Sequence, residues 1–302
     1  MSAFNSFVAK VLPFIPRSIV GMVSARYIAG TKLSEASNVL SGLNAKGLMG
    51  TIDILGEDIH ERSAAELILG EWRKVIEEIT SRGLDSNISV KPSQMGFRID
   101  PEYCYNNLRS LVEEARRVNN FVRIDMEDST MTSSTIDLYK RLRAEGYDNV
   151  GIAIQAYLHR TDADVRALVK LKANFRLCKG IYRESPDIAY QDRDDIRRNF
   201  GLLLRTMIEG GCYVGIATHD AYLVEKSFEL IQKFNLQKNQ YEFQMLLGVQ
   251  EQLGASLVKT GHRLRVYVPF GEHWYAYSVR RLKENPQIAG YVLKAMFTRH
   301  QS

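Results

Sequence analysis

The sequence predicts an α/β fold: a (β/α)8 TIM-like barrel with an N-terminal helical extension. Two observations lead there. Short apolar, β-branched runs alternate with stretches of helical periodicity, which is the pattern of βαβ units and a parallel sheet. Eight such units follow one another in about 240 residues, the number that closes a barrel rather than an open doubly wound sheet. No linker, low-complexity tract or charge run breaks the series.

The elements follow in order. Gly50–Ile54 reads as the first strand and Ala64–Ser81 as its helix. Ile88–Lys91 with Cys104–Asn119 makes the second unit, Phe121–Met126 with Ser133–Glu145 the third, and Val150–Ala156 with Asp162–Lys172 the fourth. Phe175–Cys178 leads into Ile188–Gly210, Tyr213–Ala217 into Ala221–Phe234, and Glu242–Leu246 into Gln250–Lys259. Leu264–Val268 passes through a Pro-Phe-Gly turn into Trp274–Lys283. Each strand run is short and bounded by polar or turn residues, and each helical run repeats apolar residues three and four apart. Residues 1–45 are expected to be the helical extension and 46–302 the catalytic barrel.

The N-terminal stretch is apolar, but Pro13, Pro16 and Arg17 interrupt it. It has neither a secretory cleavage site nor a clean run of about 20 apolar residues. It reads as helical segments packed on the domain, with an interfacial amphipathic anchor as the alternative. The chain of 302 residues is 45% apolar, ample for a large core, and carries a net charge of +5 spread along its length. No basic block combines with stacking aromatics, so nucleic acid is not a partner. A mildly basic surface suits anionic lipids. Cys104, Cys178 and Cys212 have no metal spacing and cannot all pair, which points to a reducing, cytoplasmic compartment, with peripheral contact at the inner membrane face an option.

In a barrel of this class the active site lies at the C-terminal ends of the strands. Those ends carry Asp53, Lys91, Asp125 with Glu127 and Asp128, Gln155, Arg176 with Lys179, Thr218-His219-Asp220, Gln244 and Tyr267. One or two polar groups there would be turn chemistry; a polar group at every strand points to a large polar ligand. Lys91 and Asp125 close neighbouring strands and are expected to pair, either to position a substrate or as a structural salt bridge. Arg176 and Lys179 bracket a strand end beside Gly180, where cations suit an anionic ring or phosphates, or simply face solvent. His219 suits a cofactor phosphate or ring edge better than a metal, because no second histidine falls at a strand end. On the last helix Tyr277, Arg280, Arg281 and Glu284 fall on one face. Two adjacent guanidiniums with a carboxylate and a phenol make a fork for a substrate carboxylate; the plain alternative is a solvated face with an Arg281–Glu284 ion pair. No GxGxxG follows a strand and no Walker A loop occurs, which disfavours a nicotinamide Rossmann site and leaves a flavin in the barrel mouth open.

The segments ISVKPSQMG, RIDMEDS, IAIQAYLHR, RLCKGIYRE, GIATHD, YEFQMLLG and RVYVPFGEHWYAYSVRRLKEN resemble proline dehydrogenase in its small, single-function bacterial form, from about Leu48 to Pro286. The resemblance implies a distorted barrel with non-covalent FAD at its mouth and oxidation of L-proline to Δ1-pyrroline-5-carboxylate. On that basis Arg280 and Arg281 would grip the proline carboxylate, Glu284 would pair with one of them, and Tyr267 would pack over the ring. Lys91, held by Asp125, would contact the carboxylate, and Tyr182 would shield the pocket. Arg176 would bond the flavin near N5. Gln155, Cys178 through its backbone, Lys179, Gly180, Thr218, His219 and Gln244 would line the FAD. The chain departs from the family before the sixth strand. Arg193 stands where relatives carry Lys and is taken as a cofactor contact, while Arg197 replaces an Asp and Phe200 a Tyr. Arg183 stands where many relatives have Trp. Tyr267, where relatives that prefer hydroxyproline have a smaller residue, favours proline.

With no NAD motif, a quinone is the expected electron acceptor; the basic charge and apolar N-terminus suggest transient membrane contact; and with no aldehyde dehydrogenase domain attached, a separate pyrroline-5-carboxylate dehydrogenase is expected downstream. Two other readings remain on the residues alone. One is a Schiff-base lyase of barrel type using Lys91 or Lys179 as nucleophile. The other is a binding protein that has kept the barrel without turnover.

Overall fold

The computed structural model describes residues 20–21, 24–275 and 277–279. Arg280, Arg281 and Glu284 lie outside the described residues, as do Pro13, Pro16 and Arg17 of the apolar N-terminal segment.

Eight strands run parallel and close on themselves in chain order: β1 Met49–Ile54, β2 Ser86–Val90, β3 Val122–Ile124, β4 Val150–Gln155, β5 Phe175–Cys178, β6 Val214–Ala217, β7 Tyr241–Leu246 and β8 Leu264–Phe270. Closure is made by β1 and β8, which pair from Met49 opposite Arg265 to Ile54 opposite Phe270. Helix α1 (Leu33–Asn44) precedes β1. The outer helices are α2 Arg62–Ser81, α3 Pro101–Arg117, α4 Thr132–Ala144, α5 Thr161–Val169, α6 Arg193–Glu209, α7 Ala221–Lys233 and α8 Glu251–Lys259. Residues 274–275 and 277–279 are helical after β8.

The core lies between the barrel wall and the helices. On α2, Ala65, Leu69, Trp72, Val75, Ile76 and Ile79 form the buried stripe expected of an amphipathic helix, and they pack with Ile52, Ile88 and their strand neighbours. Helix α1 packs against β1 and β8, beneath the closure. Gly50 permits this: a Cβ there would fall 2.1 Å from Leu40 Cδ2. The Glu35 carboxylate takes the amides of Thr31 and Lys32 at 2.8 and 2.9 Å and so fixes the start of α1.

Several boundaries move from their predicted places, each for a local reason. The third helix starts at Pro101, because Asp100 caps it by accepting from the Tyr103 amide at 2.7 Å, and proline suits a first turn. The fifth outer run, expected from Ile188, becomes helical only at Arg193, where Asp192 accepts from the amides of Asp194 and Asp195. The residues before it leave the helix to bridge Leu158 with Ala189. Strand β8 continues through Pro269, whose missing donor is no loss beside β1 and whose carbonyl accepts from the Ala29 amide at 2.8 Å.

Candidate active site

The side chains that alternate inward at the C-terminal half of the barrel form one connected charged cluster. Asp53 on β1 is 1% exposed and Lys91, just past β2, is 8% exposed. Lys91 Nζ donates to Asp53 Oδ1 at 2.6 Å. The pairing expected from sequence, Lys91 with Asp125, is therefore corrected: Asp125 is engaged elsewhere. Its Oδ1 accepts from Arg176 Nη1 and, at 2.8 Å, from Ser89 Oγ, and its Oδ2 accepts from the Tyr267 hydroxyl at 3.1 Å. Ser89 and Lys91 are two apart on one strand, so they face the same interior.

Burial by itself would strip Lys91 of its proton, but the nearby carboxylates, Asp53 first and Asp125 second, outweigh it and hold the ammonium above the ordinary lysine range. Burial drives the Tyr267 phenol well above its usual value, with Asp125 and Asp53 adding to the effect, so the hydroxyl stays a donor. Arg176 lies with Cζ 5.2 Å from the centre of the Tyr267 ring. Its Nε donates to Gln244 Oε1 at 2.7 Å, and Gln244 Nε2 donates to Glu242 Oε1, which also accepts from Arg265 Nε at 2.7 Å. Both ends of the Gln244 amide are thus committed to a chain of bonds running down the barrel interior.

Further round the mouth, Gln155 Nε2 donates to the carbonyls of Met126 and Glu127, while its Oε1 is buried without a partner, as is Arg176 Nη2. Gly180 holds φ +108°, and a Cβ there would sit 2.1 Å from the Tyr157 ring, so only glycine carries the chain past Tyr157 at this point. Cys178 has its thiol pushed up to about 11 by burial, which makes it inert at neutral pH. His219 Nε2 accepts from the Leu246 amide at 2.9 Å, which places the ring proton on Nδ1. Thr218 is buried, and its Oγ1 accepts from the Asp220 amide.

Lys179 and Arg197 meet at Asp220. Arg197 grips that carboxylate with two nitrogens, Nε at 2.9 Å and Nη2 at 2.7 Å, and Lys179 Nζ reaches it at 3.3 Å. The arginine found where an aspartate was expected therefore has its counterion on the next strand end. Phe200 is simply core, 1% exposed. Arg193 lies exposed in the first turn of α6, and Tyr182 is half-buried in the loop after β5. That loop is latched to the loop after β3 by Glu184, whose carboxylate accepts from the Ser129 amide and hydroxyl, both at 2.7 Å.

A barrel mouth with this ordered set of groups is matched by known proteins. The family model for proline dehydrogenase matches residues 36–293. The chain belongs to the proline dehydrogenase family. Proline dehydrogenase 1 of Bacillus subtilis subsp. natto is 35% identical over 90% of this chain and 89% of its own length. Proline dehydrogenase of Deinococcus radiodurans is 32% identical, covering 91% of this chain and 90% of that protein. The crystal structure of proline utilization A from Bdellovibrio bacteriovorus, inactivated by N-propargylglycine, superposes with a TM-score of 0.82 at 25% identity. It covers 87% of this chain but only 33% of its own, so this chain corresponds to about a third of that larger protein. The family is one of enzymes, and this chain is an oxidoreductase of that family.

The sequence reading named most of the mouth residues but gave Ser89 no part and Lys91 the wrong partner. Ser89 had no role, although its place two residues before Lys91 was the available signal. Asp53 was seen as a strand-end acid, yet the carboxylate that holds Lys91 was sought on the third strand and not on the first.

Proposed function

We propose that the protein oxidises L-proline to Δ1-pyrroline-5-carboxylate with FAD, the electrons passing on to a quinone. The observation that carries this reading is the buried, charge-balanced cluster Asp53–Lys91 and Asp125–Arg176 under Tyr267, at the mouth of a barrel of this family.

The residues present fit a flavin. Gln155 Oε1 and Arg176 Nη2 are unpartnered buried groups, one acceptor and one donor, as the mixed edge of a flavin ring requires. Arg176, Gln155, Thr218, His219, Lys179, Gly180 and the Cys178 backbone would hold the cofactor. Gln244 would act through Arg176, and Arg193 would add a cofactor contact. FAD, when bound, supplies the hydride acceptor. Lys91 would take the substrate carboxylate together with Arg280 and Arg281, the latter two assigned by family resemblance alone, with Glu284 as their counterion. Tyr267 would cover the ring, and Tyr182 would close the pocket. Fixing the carboxylate at one end orients the ring carbon that gives up hydride, which is how positioning lowers such a barrier. The amine must be neutral for hydride to leave.

A Schiff-base lyase needs a lysine with a lowered pKa to be nucleophilic at neutral pH. Lys91 is held protonated by Asp53, which argues against that use. The absorption spectrum of the FAD-loaded protein, before and after anaerobic addition of L-proline, tests the proposal. Flavin bands that bleach support it. Bands that stay oxidised remove proline as substrate. Borohydride trapping of substrate on a lysine would move the assignment to the lyase.

Among the described residues no helix is long and apolar enough to cross a membrane. A quinone is lipid-soluble, so delivery of electrons to it would use contact at the membrane surface, and the product would pass to a separate dehydrogenase acting on pyrroline-5-carboxylate.

A further inference from the structure

Among the described residues, two buried cations lie beneath Tyr267, Lys91 and Arg176, and the structure gives each its own carboxylate in direct contact. Asp125 is already engaged by three donors. Its Oδ1 is taken by Arg176 and Ser89 and its Oδ2 by Tyr267. The next carboxylate, Glu127, is also occupied, accepting from the Ser93 amide at 2.9 Å and the Ser93 hydroxyl at 2.5 Å. Among the contacts at this site, Asp53 is the carboxylate that accepts directly from Lys91, and its side chain is 1% exposed. It sits on the strand that closes the barrel, opposite Pro269, so its place is set by the barrel wall.

We propose that Asp53 is a positioning residue of the proline reaction: it keeps Lys91 an aimed ammonium, leaving Asp125 free to hold Arg176 and Tyr267. This rests on the reading of Lys91 as a carboxylate contact. The physical case is charge counting. An ammonium buried to this depth keeps its proton only with a counterion in contact. The groups that face it are Asp53 from β1, Asp125 and Glu127 from the end of β3, and Tyr267 from β8, with Arg176 on the far side of Asp125 opposing the two carboxylates. Without Asp53, Lys91 would compete with Arg176 for Asp125 or lose its charge. Either result loosens the grip on the substrate carboxylate. The role acts through Lys91, so it predicts a loss in substrate binding before a loss in turnover.

The test uses the FAD-loaded full chain. Asp53→Asn keeps the size and shape and removes the charge. It should raise KM for L-proline by on the order of a hundredfold, with kcat changing less. It should also add an alkaline limb to the pH profile of kcat/KM, because Lys91 then deprotonates within the measured range. Combining D53N with Lys91→Arg should abolish that limb, since arginine stays protonated without a partner. In a Lys91→Met background, D53N should add little further loss, because its effect passes through Lys91. Retained FAD absorbance and an unchanged far-ultraviolet dichroism spectrum show that D53N is folded. If D53N does not fold, the comparison of K91M with D53N/K91M, in which both charges leave together, decides the question. A wild-type KM and profile for D53N, a limb that survives in D53N/K91R, or an equal further loss in the K91M background would overturn the proposal. A wild-type protein that proline fails to bleach would instead remove the proline reading itself, whatever the variants show.

Discussion

At the scale of single residues, the site is governed by how few acceptors it has. Arg176 is buried with Nε spent on Gln244 and Nη1 on Asp125 and Ser89, and the Arg176–Asp125 pair is only 8% and 13% exposed in its side chains. Removing one member of such a pair leaves a desolvated charge. The Asp125→Asn variant should therefore lose about 3–5 kcal/mol of folding stability, well beyond the cost of an exposed ion pair. Urea unfolding of the wild type and the variant reads this directly. A loss under about 1 kcal/mol would mean that Arg176 finds another partner. The residue scale is also where sequence reasoning fell short. A strand-end lysine in a closed barrel has neighbours on both sides, and spacing along the chain does not say which one it turns towards. Lys91 has Asp53 on one side and Asp125 on the other; the choice is made by Arg176 and Tyr267, which arrive from distant places in the chain, and by Ser89 two residues back, which fill Asp125 first.

At the scale of elements, the strands were legible because each buried run is apolar and short, and β5 lies where its pattern placed it. Helix starts were less legible. Apolar periodicity continues past them, and the actual start is set by a cap such as Asp192 or Asp100. Asp220 shows how much one cap can join. It accepts from the Tyr222 amide at the start of α7, takes Arg197 from α6 and takes Lys179 from the end of β5. Burial alone would push its carboxyl up, but the bonds and charges of Arg197 and Lys179 outweigh it and hold it at about 2 against an ordinary 3.8. The sign follows from this depression. The three-element junction contributes stability that is fully present above the ordinary value and fades as pH falls towards about 2. Arg197→Ala should lower the thermal midpoint at neutral pH, and the gap to wild type should close as pH is lowered through that window. Two melting curves that stay parallel down to the acid limit would show that Arg197 does not set the Asp220 titration.

At the scale of the whole molecule, the barrel explains why this site could be read at all. A closed parallel sheet brings eight strand ends to one mouth, so polar residues scattered over the chain from Asp53 to Tyr267 become neighbours without any local motif. The FAD proposed for that mouth would pass its electrons outward once reduced, and a quinone, being lipid-soluble, would meet the protein at a membrane surface. The net charge of +5 and pI of about 9.0 favour an anionic surface. Each lysine or arginine near such a surface contributes about 1 kcal/mol, which falls away with salt. The expected behaviour is weak, reversible association that weakens as ionic strength rises. Flotation of the FAD-loaded protein with vesicles of phosphatidylglycerol and phosphatidylcholine, with and without L-proline, measures it. A protein that stays in the soluble fraction under both conditions at low salt would show that electrons leave to a dissolved acceptor. Flotation that is insensitive to salt would instead assign the contact to apolar insertion rather than to charge.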